Sequence, residues 1–155
     1  QTLGVEAWRR LREAYRDRLF LVGPANSPSE IAARREAFDA LHLYSLQFEA
    51  DDRWLFGRWA RRFQRAWVEA QRPGLATATI LPGFDDRAQG RGGERPTVPR
   101  RGGRTFRELL AAARAAGPDW LLIVSLTEWH EGTAVLPSVE HGAREWEALK
   151  TSFSP

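Results

Sequence analysis

Four short apolar runs, separated by amphipathic stretches, constrain the fold of this chain more than any other feature. "RLFLVGP" (18–24), "DALHLYSLQF" (39–48), "LATATILPGF" (75–84) and "WLLIVSL" (120–126) read as strands. The segments between them carry helical spacing. Val5, Trp8, Leu11 and Tyr15 fall on one face of a helix over 3–16. Ser27, Pro28 and Glu30 make an N-cap, a first helical position and a capping box for a helix from 28 to about 37. Asp51 and Asp52 suit a helix start, and Trp59, Phe63, Trp67 and Ala70 continue that helix up to "RPG" (72–74). Thr105 and Glu108 predict a second capping box, and Gly117-Pro118 ends the helix it opens. A last helix is expected around 141–150.

Near-continuous apolar strands alternating with helices imply a parallel sheet covered on both faces. Two α/β architectures fit: an open doubly wound parallel sheet, or part of a (β/α)8 barrel. A complete barrel needs about 250 residues. Four units in 155 residues come close to half of one, read as a single partial domain over 1–155. No internal repeat is expected. The chain lacks Met throughout, including at position 1, so it is expected to be a processed or cut piece of something longer.

Composition narrows the function. Hydrophobic residues make up 43% and charged residues 28%, a globular balance. No apolar run approaches the ~20 residues of a membrane helix, so no membrane partner is expected. Cysteine is absent, which excludes disulfides and thiolate chemistry. The pI of about 10.1 rests on arginine, because only Lys150 is lysine among 23 basic residues. Arginine does not titrate in the accessible range, so a small excess raises the pI without implying nucleic acid as a partner.

The reacting groups of parallel α/β folds sit at the carboxyl ends of strands. Three such ends carry acids and rings: Tyr44, Gln47 and Glu49 after the second strand, Asp85, Asp86 and Arg87 after the third, and "TEWHEG" (127–132) after the fourth. Acids and aromatics on one rim suit a sugar, whose C–H faces pack on rings and whose hydroxyls bond to carboxylates. Glu128 and Glu131 are three apart with Gly132 behind them. In a turn, that spacing brings both to one side. Two neighbouring carboxylates do not ionise equally easily, and glycoside hydrolysis needs that division of labour. The plainer alternative pairs both glutamates with surface arginines. Asp85 and Asp86 are hard-oxygen donors, but two acids alone make no metal site, and neither metal nor cofactor is expected. His42 reads as a core histidine, and Trp59, Phe63 and Trp67 as core aromatics. The Arg- and Gly-rich connection 85–104 reads as a solvated loop, since no aromatics interleave its arginines.

On "SLTEWHEGTAVLPSVEHG" (125–142), "PGFDD" (82–86) and "FDALHLYSL" (38–46), in that order, the chain resembles glycoside hydrolase family 99. That family comprises the endo-α-1,2-mannosidases and mannanases, with their WbsX-like bacterial relatives. The resemblance implies the C-terminal half of a (β/α)8 barrel that cuts internal α-mannosidic bonds with retention. It implies that Glu128 is the general base on the sugar 2-hydroxyl, giving an epoxide-like intermediate, and that Glu131 is the general acid/base at the leaving oxygen. Trp129 and His130 would shape the pocket, with Tyr44, Asp85 and Asp86 as further substrate contacts. An oligosaccharide or glycan is the implied partner, the N-terminal barrel half a further one, and an extracytoplasmic or secretory compartment the implied setting. Thr127 stands where the family has an asparagine. A non-catalytic carbohydrate-binding or assembly module is the alternative function.

Overall fold

The computed structural model describes residues 3–50 and 55–153. Its elements alternate as α1 (Val5–Tyr15), β1 (Val22–Pro24), α2 (Pro28–Arg34), β2 (Ala40–His42), α3 (Phe56–Gln71), β3 (Thr77–Ile80), α4 (Arg104–Ala116), β4 (Trp120–Ile123) and α5 (Arg144–Phe153). The expected helix start at Asp51 and Asp52 lies outside the described residues. Among those residues, no helix is long and apolar enough to cross a membrane.

All pairing is parallel. Val22 to Pro24 face Ala40 to His42, and Thr77 to Ile80 face Trp120 to Ile123. A single parallel bridge between Ala40 and Leu75 joins the two pairs. The Thr77 hydroxyl reinforces it by donating to the Leu41 carbonyl at 2.5 Å. The join is short because α3 substitutes for part of it. The Gln71 amide accepts from Thr77 N–H at 3.1 Å and donates to Thr77 O at 2.9 Å. Strand order thus follows chain order without reversal. A doubly wound sheet reverses at its switch point, whereas a barrel does not.

The sheet also curls. Across three strand spacings of a flat sheet, the first and last strands would lie ~14 Å apart. Instead Phe20, just before β1, and Trp120, at the start of β4, bring their ring centroids within 5.3 Å. The outer edges of β1 and β4 have no strand partner among the described residues. Leu19, Phe20, Val22 and Trp120 around them are roughly half exposed. The architecture is α/β of the (β/α)8 barrel type, over four units.

Those four units are two copies of one device, against the expectation of no repeat. Before β2, the Asp39 carboxylate accepts from Leu21 N–H at 2.8 Å and from Arg12 at 2.8 Å. Before β4, the Asp119 carboxylate accepts from Ala76 N–H at 2.8 Å and from Arg72 at 2.7 Å. In each copy the backbone N–H groups of the acid itself and of the residue after it both donate to one carbonyl, that of Leu21 or Ala76. An acid at the head of every second strand therefore holds the preceding strand in register and neutralises an arginine of the preceding helix end. The repeat escapes sequence comparison because the spacing differs: Leu21 to Asp39, but Ala76 to Asp119.

The strands are shorter than expected at every position. The chain leaves β2 after His42 and turns into a single 3-10 turn over Leu46–Phe48, which buries Leu46 and Gln47. Ser27 does occupy the N-cap of α2, but Glu30 reaches the N–H of Asn26 at 3.1 Å, and the Ser27 hydroxyl pairs with Ser29. The second capping box does not form. Gly103 is the N-cap of α4 at φ 82°, the Thr105 hydroxyl donates to Pro99 O, and Glu108 pairs with Arg101 and Arg104. The C-terminus of α4 is as the sequence requires, with Gly117 left-handed at φ 65°.

The core lies between the sheet and α3 and α4. β3 is buried at all four residues, as a central strand covered on both faces should be. Trp67, Ala60, Phe106, Leu109 and Ala113 are fully buried around it. Phe56, Trp59, Phe63 and Trp67 meet ring to ring along α3, the first pair tilted and the next two stacked, with centroid separations of 5.2, 5.3 and 6.2 Å.

Candidate functional site at the strand ends

The segment after β4 is fixed by its own hydrogen bonds. The Ser125 hydroxyl accepts from Glu128 N–H at 2.8 Å and pairs with the Thr133 hydroxyl at 3.0 Å. Ser125 N–H donates to Thr133 O, and Thr133 N–H to Glu128 O. The result is a tight loop whose neck is 125–133. Gly132 turns it at φ 64°, and a Cβ there would sit 3.3 Å from Asp85 N, so glycine is required by conformation and space together. The carbonyl of Glu131 accepts from Asp85 N–H at 2.9 Å, which ties this loop to the end of β3.

Tyr44, half exposed at the end of β2, lies within electrostatic reach of both Glu131 and Glu128. Burial raises the Tyr44 hydroxyl above its ordinary pKa, and the charges of Glu131 and then Glu128 add to that. Glu131 is largely enclosed, at 18% exposure, with Arg91 Nη1 3.6 Å from its carboxylate. Trp129 and His130 line a cleft of about 970 Å³ between the 84–100 and 129–141 segments. Asp85 also lines that cleft, whereas Tyr44, Glu128 and Glu131 do not. The seven residues singled out from sequence are therefore split. Trp129, His130 and Asp85 line the cleft, and Tyr44 and the two glutamates, outside its lining, are linked by their electrostatic interaction.

Asp86 belongs to neither group. It is fully buried and ion-paired with Arg95. Its carboxylate is spent on holding the loop, not presented to a substrate. Asp85 accepts from Arg87 at 2.9 and 2.7 Å. Those bonds hold its pKa at about 2, below the ordinary 3.8. Arg95 likewise holds Asp86 low, and the N–H of Ala76 holds Asp119 low. A carboxyl depressed in the folded state adds stability above its unfolded pKa and loses it as pH falls through the folded value. The melting temperature should therefore be flat from pH 7 to 5 and drop below about pH 4. Asp85→Asn should make that drop shallower. Circular-dichroism melts across this range check both, and a fall already under way between pH 7 and 5 contradicts the assignment. Among the described residues, no group of three or more His, Asp or Glu could hold a metal ion.

The 85–104 connection is more ordered than a solvated loop. Phe84 and Val98 exchange both backbone hydrogen bonds, at 2.9 and 2.8 Å. Arg100 is nearly buried and donates to the carbonyls of Gly132 and Ala134, at 3.0 and 2.5 Å, while pairing with buried Glu145 at 3.1 Å. Gly83 makes room for it, since a Cβ there would lie 2.6 Å from Arg100 Cγ. Arg91, Arg95 and Arg100 are thus site-forming residues that charge composition alone does not distinguish from the other arginines. Their four- to five-residue spacing was the available signal.

No protein-family model matches the chain, and no curated protein matches it. Solved structures do. The GH99 endo-alpha-mannosidase from Bacteroides thetaiotaomicron aligns at TM-score 0.61 and 21% identity, over 88% of this chain and 46% of its own. The same enzyme in complex with bis-tris-propane aligns at 0.61 and 22%, over 86% and 45%. A glycoside hydrolase-like protein aligns at 0.71 and 20%, over 100% and 51%. The chain spans about half the length of each, and its fold is that of half a barrel of the glycoside hydrolase family 99 type.

Proposed function

We propose that this chain supplies the acid and base of a retaining glycoside hydrolase acting on internal α-mannosidic or related linkages. The observation that supports this is that Glu128 and Glu131, in one hydrogen-bonded loop at the carboxyl end of β4, both act electrostatically on the Tyr44 hydroxyl at the end of β2. The Glu128 carboxylate takes the proton of the sugar 2-hydroxyl as that oxygen attacks the anomeric carbon. The glycosidic C–O bond breaks, and Glu131 gives its proton to the departing oxygen. Water then opens the epoxide-like intermediate, losing its proton to Glu131, and Glu128 returns the first proton to O2. Two inversions leave the configuration retained. Loop hydrogen bonds from Ser125 and Thr133 fix the backbone under Glu128, and the Asp85 bond fixes it under Glu131, so the pair is pre-positioned.

Similarity to solved glycoside hydrolases supports a glycan as the substrate. The unpartnered outer edges of β1 and β4 support a complementary set of β/α units as the partner that closes the barrel. With the barrel closed, hydrolysis of an α-mannoside should release a product of α configuration, read by proton NMR before mutarotation. An initial β product eliminates this mechanism. One observation favours a second reading as a glycan-binding module without chemistry: the cleft of about 970 Å³ is lined by Trp129 and His130 but by neither glutamate. Binding measured by calorimetry with no product formed would support it.

A further inference from the structure

Away from the strand ends, the outer face of α3 carries a stripe of arginines. Arg58, Arg61, Arg62 and Arg65 recur at i, i+3, i+4 and i+7 and are all exposed. That spacing puts them side by side, where like charges repel. Only Arg65 has an acidic partner within the stripe's helix, Glu69 at 2.7 Å. Arg104 and Arg107 face the stripe from α4. The two helices close at Gly57, where a Cβ would lie 3.2 Å from the Glu108 carboxyl carbon. Beside this contact a groove of about 300 Å³ opens, walled by Arg61, Arg104 and Arg107 and floored by Ala111 and Ala112. Glu108 also lines it but is already paired with both Arg101 and Arg104, at 2.6 and 2.8 Å. Arg61 and Arg107 have no acidic partner among the described residues.

We propose that this groove binds a phosphate or sulfate group carried on an anionic polysaccharide. Guanidinium forks match tetrahedral oxyanions with paired hydrogen bonds. Alanines leave the floor open to such a group, and the stripe on α3 continues the positive surface along a chain that repeats it. No aromatic side chain lines the groove, so it grips the oxyanion and not a sugar ring and offers no stacking platform for the bases of a single strand; duplex DNA, which also presents phosphates, is the competing outcome of the test. The site lies on the helical layer, apart from the glutamate pair, and stands whether or not that pair is catalytic.

The test uses the 155-residue chain with four probes: dextran sulfate, a phosphorylated mannan, neutral dextran and duplex DNA, each titrated at several salt concentrations. At least one anionic glycan should bind and neutral dextran should not; which of the two binds identifies sulfate or phosphate. Arg61→Gln with Arg107→Gln should weaken that binding by about tenfold or more and lower the log–log salt slope by about two. Both changes keep good helix formers on exposed positions. The same pair of changes at Arg9 and Arg10, exposed on α1, should leave affinity and slope unchanged. Failure of both anionic glycans to bind overturns the proposal. So does undiminished affinity of the Arg61/Arg107 variant, an equal loss in the α1 control, or DNA binding at least as tight as the glycan.

Discussion

Glu131→Gln should lower turnover of an α-mannoside by about 10²- to 10⁴-fold in the closed barrel, the range that a positioned proton donor contributes. Glutamine keeps the shape of the side chain. The backbone carbonyl that accepts from Asp85 N–H is untouched, so the loop and the end of β3 stay joined. What disappears is the proton and, after its transfer, the negative charge beside Arg91. The loss should fall on kcat with KM little changed, because the proton moves only in the transition state. Glu128→Gln should cost a similar factor, and the double variant little more than either alone, since both groups act in one step. Unchanged turnover in Glu131→Gln would remove it from the mechanism. Additive losses in the double variant would place the two glutamates in separate steps.

The alternation of strands and helices was legible because its physical cause is local. Strand segments such as "ATATI" and "WLLIV" are apolar or β-branched throughout, and the α3 aromatics recur at helical intervals. Boundaries were less legible. β2 ends at His42 although the apolar pattern continues through Phe48, because a 3-10 turn buries Leu46 and Gln47 just as well as a strand would. Capping was misread at Thr105, whose hydroxyl serves Pro99 once Gly103 has taken the left-handed N-cap. Such a choice depends on where the preceding loop runs. The strand-end acids were legible as candidates, but their division was not. Asp85 and Asp86 are neighbours in sequence, yet one is half-exposed beside Arg87 and the other sealed against Arg95. Which arginine each one meets is decided by the Phe84–Val98 bridge, a contact across fourteen residues that no periodicity announces. The paired Asp39 and Asp119 devices were hidden for a related reason. The physical equivalence lies in hydrogen bonds to Leu21 and Ala76, and the intervening loops differ in length.

Trp67→Ala should destabilise the fold by about 3–5 kcal/mol, the range for deleting a large buried aromatic. Trp67 is completely buried on α3 and ends the row of ring contacts that begins at Phe56. It belongs to the core that includes Phe106 and Leu109. Removing the indole leaves a cavity that these neighbours fill only in part. Total stabilities of single domains run ~5–15 kcal/mol, so one such change consumes a large share. Trp67→Phe should cost far less than its lost volume suggests. The indole N–H has no hydrogen-bond partner among the described residues, and burying an unpaired donor carries a penalty of about 1–3 kcal/mol that phenylalanine does not incur. Urea unfolding of the two variants separates these contributions. If Trp67→Phe costs as much as Trp67→Ala, the indole N–H is satisfied in solution by a partner such as an ordered water, and the cavity term alone does not govern this site.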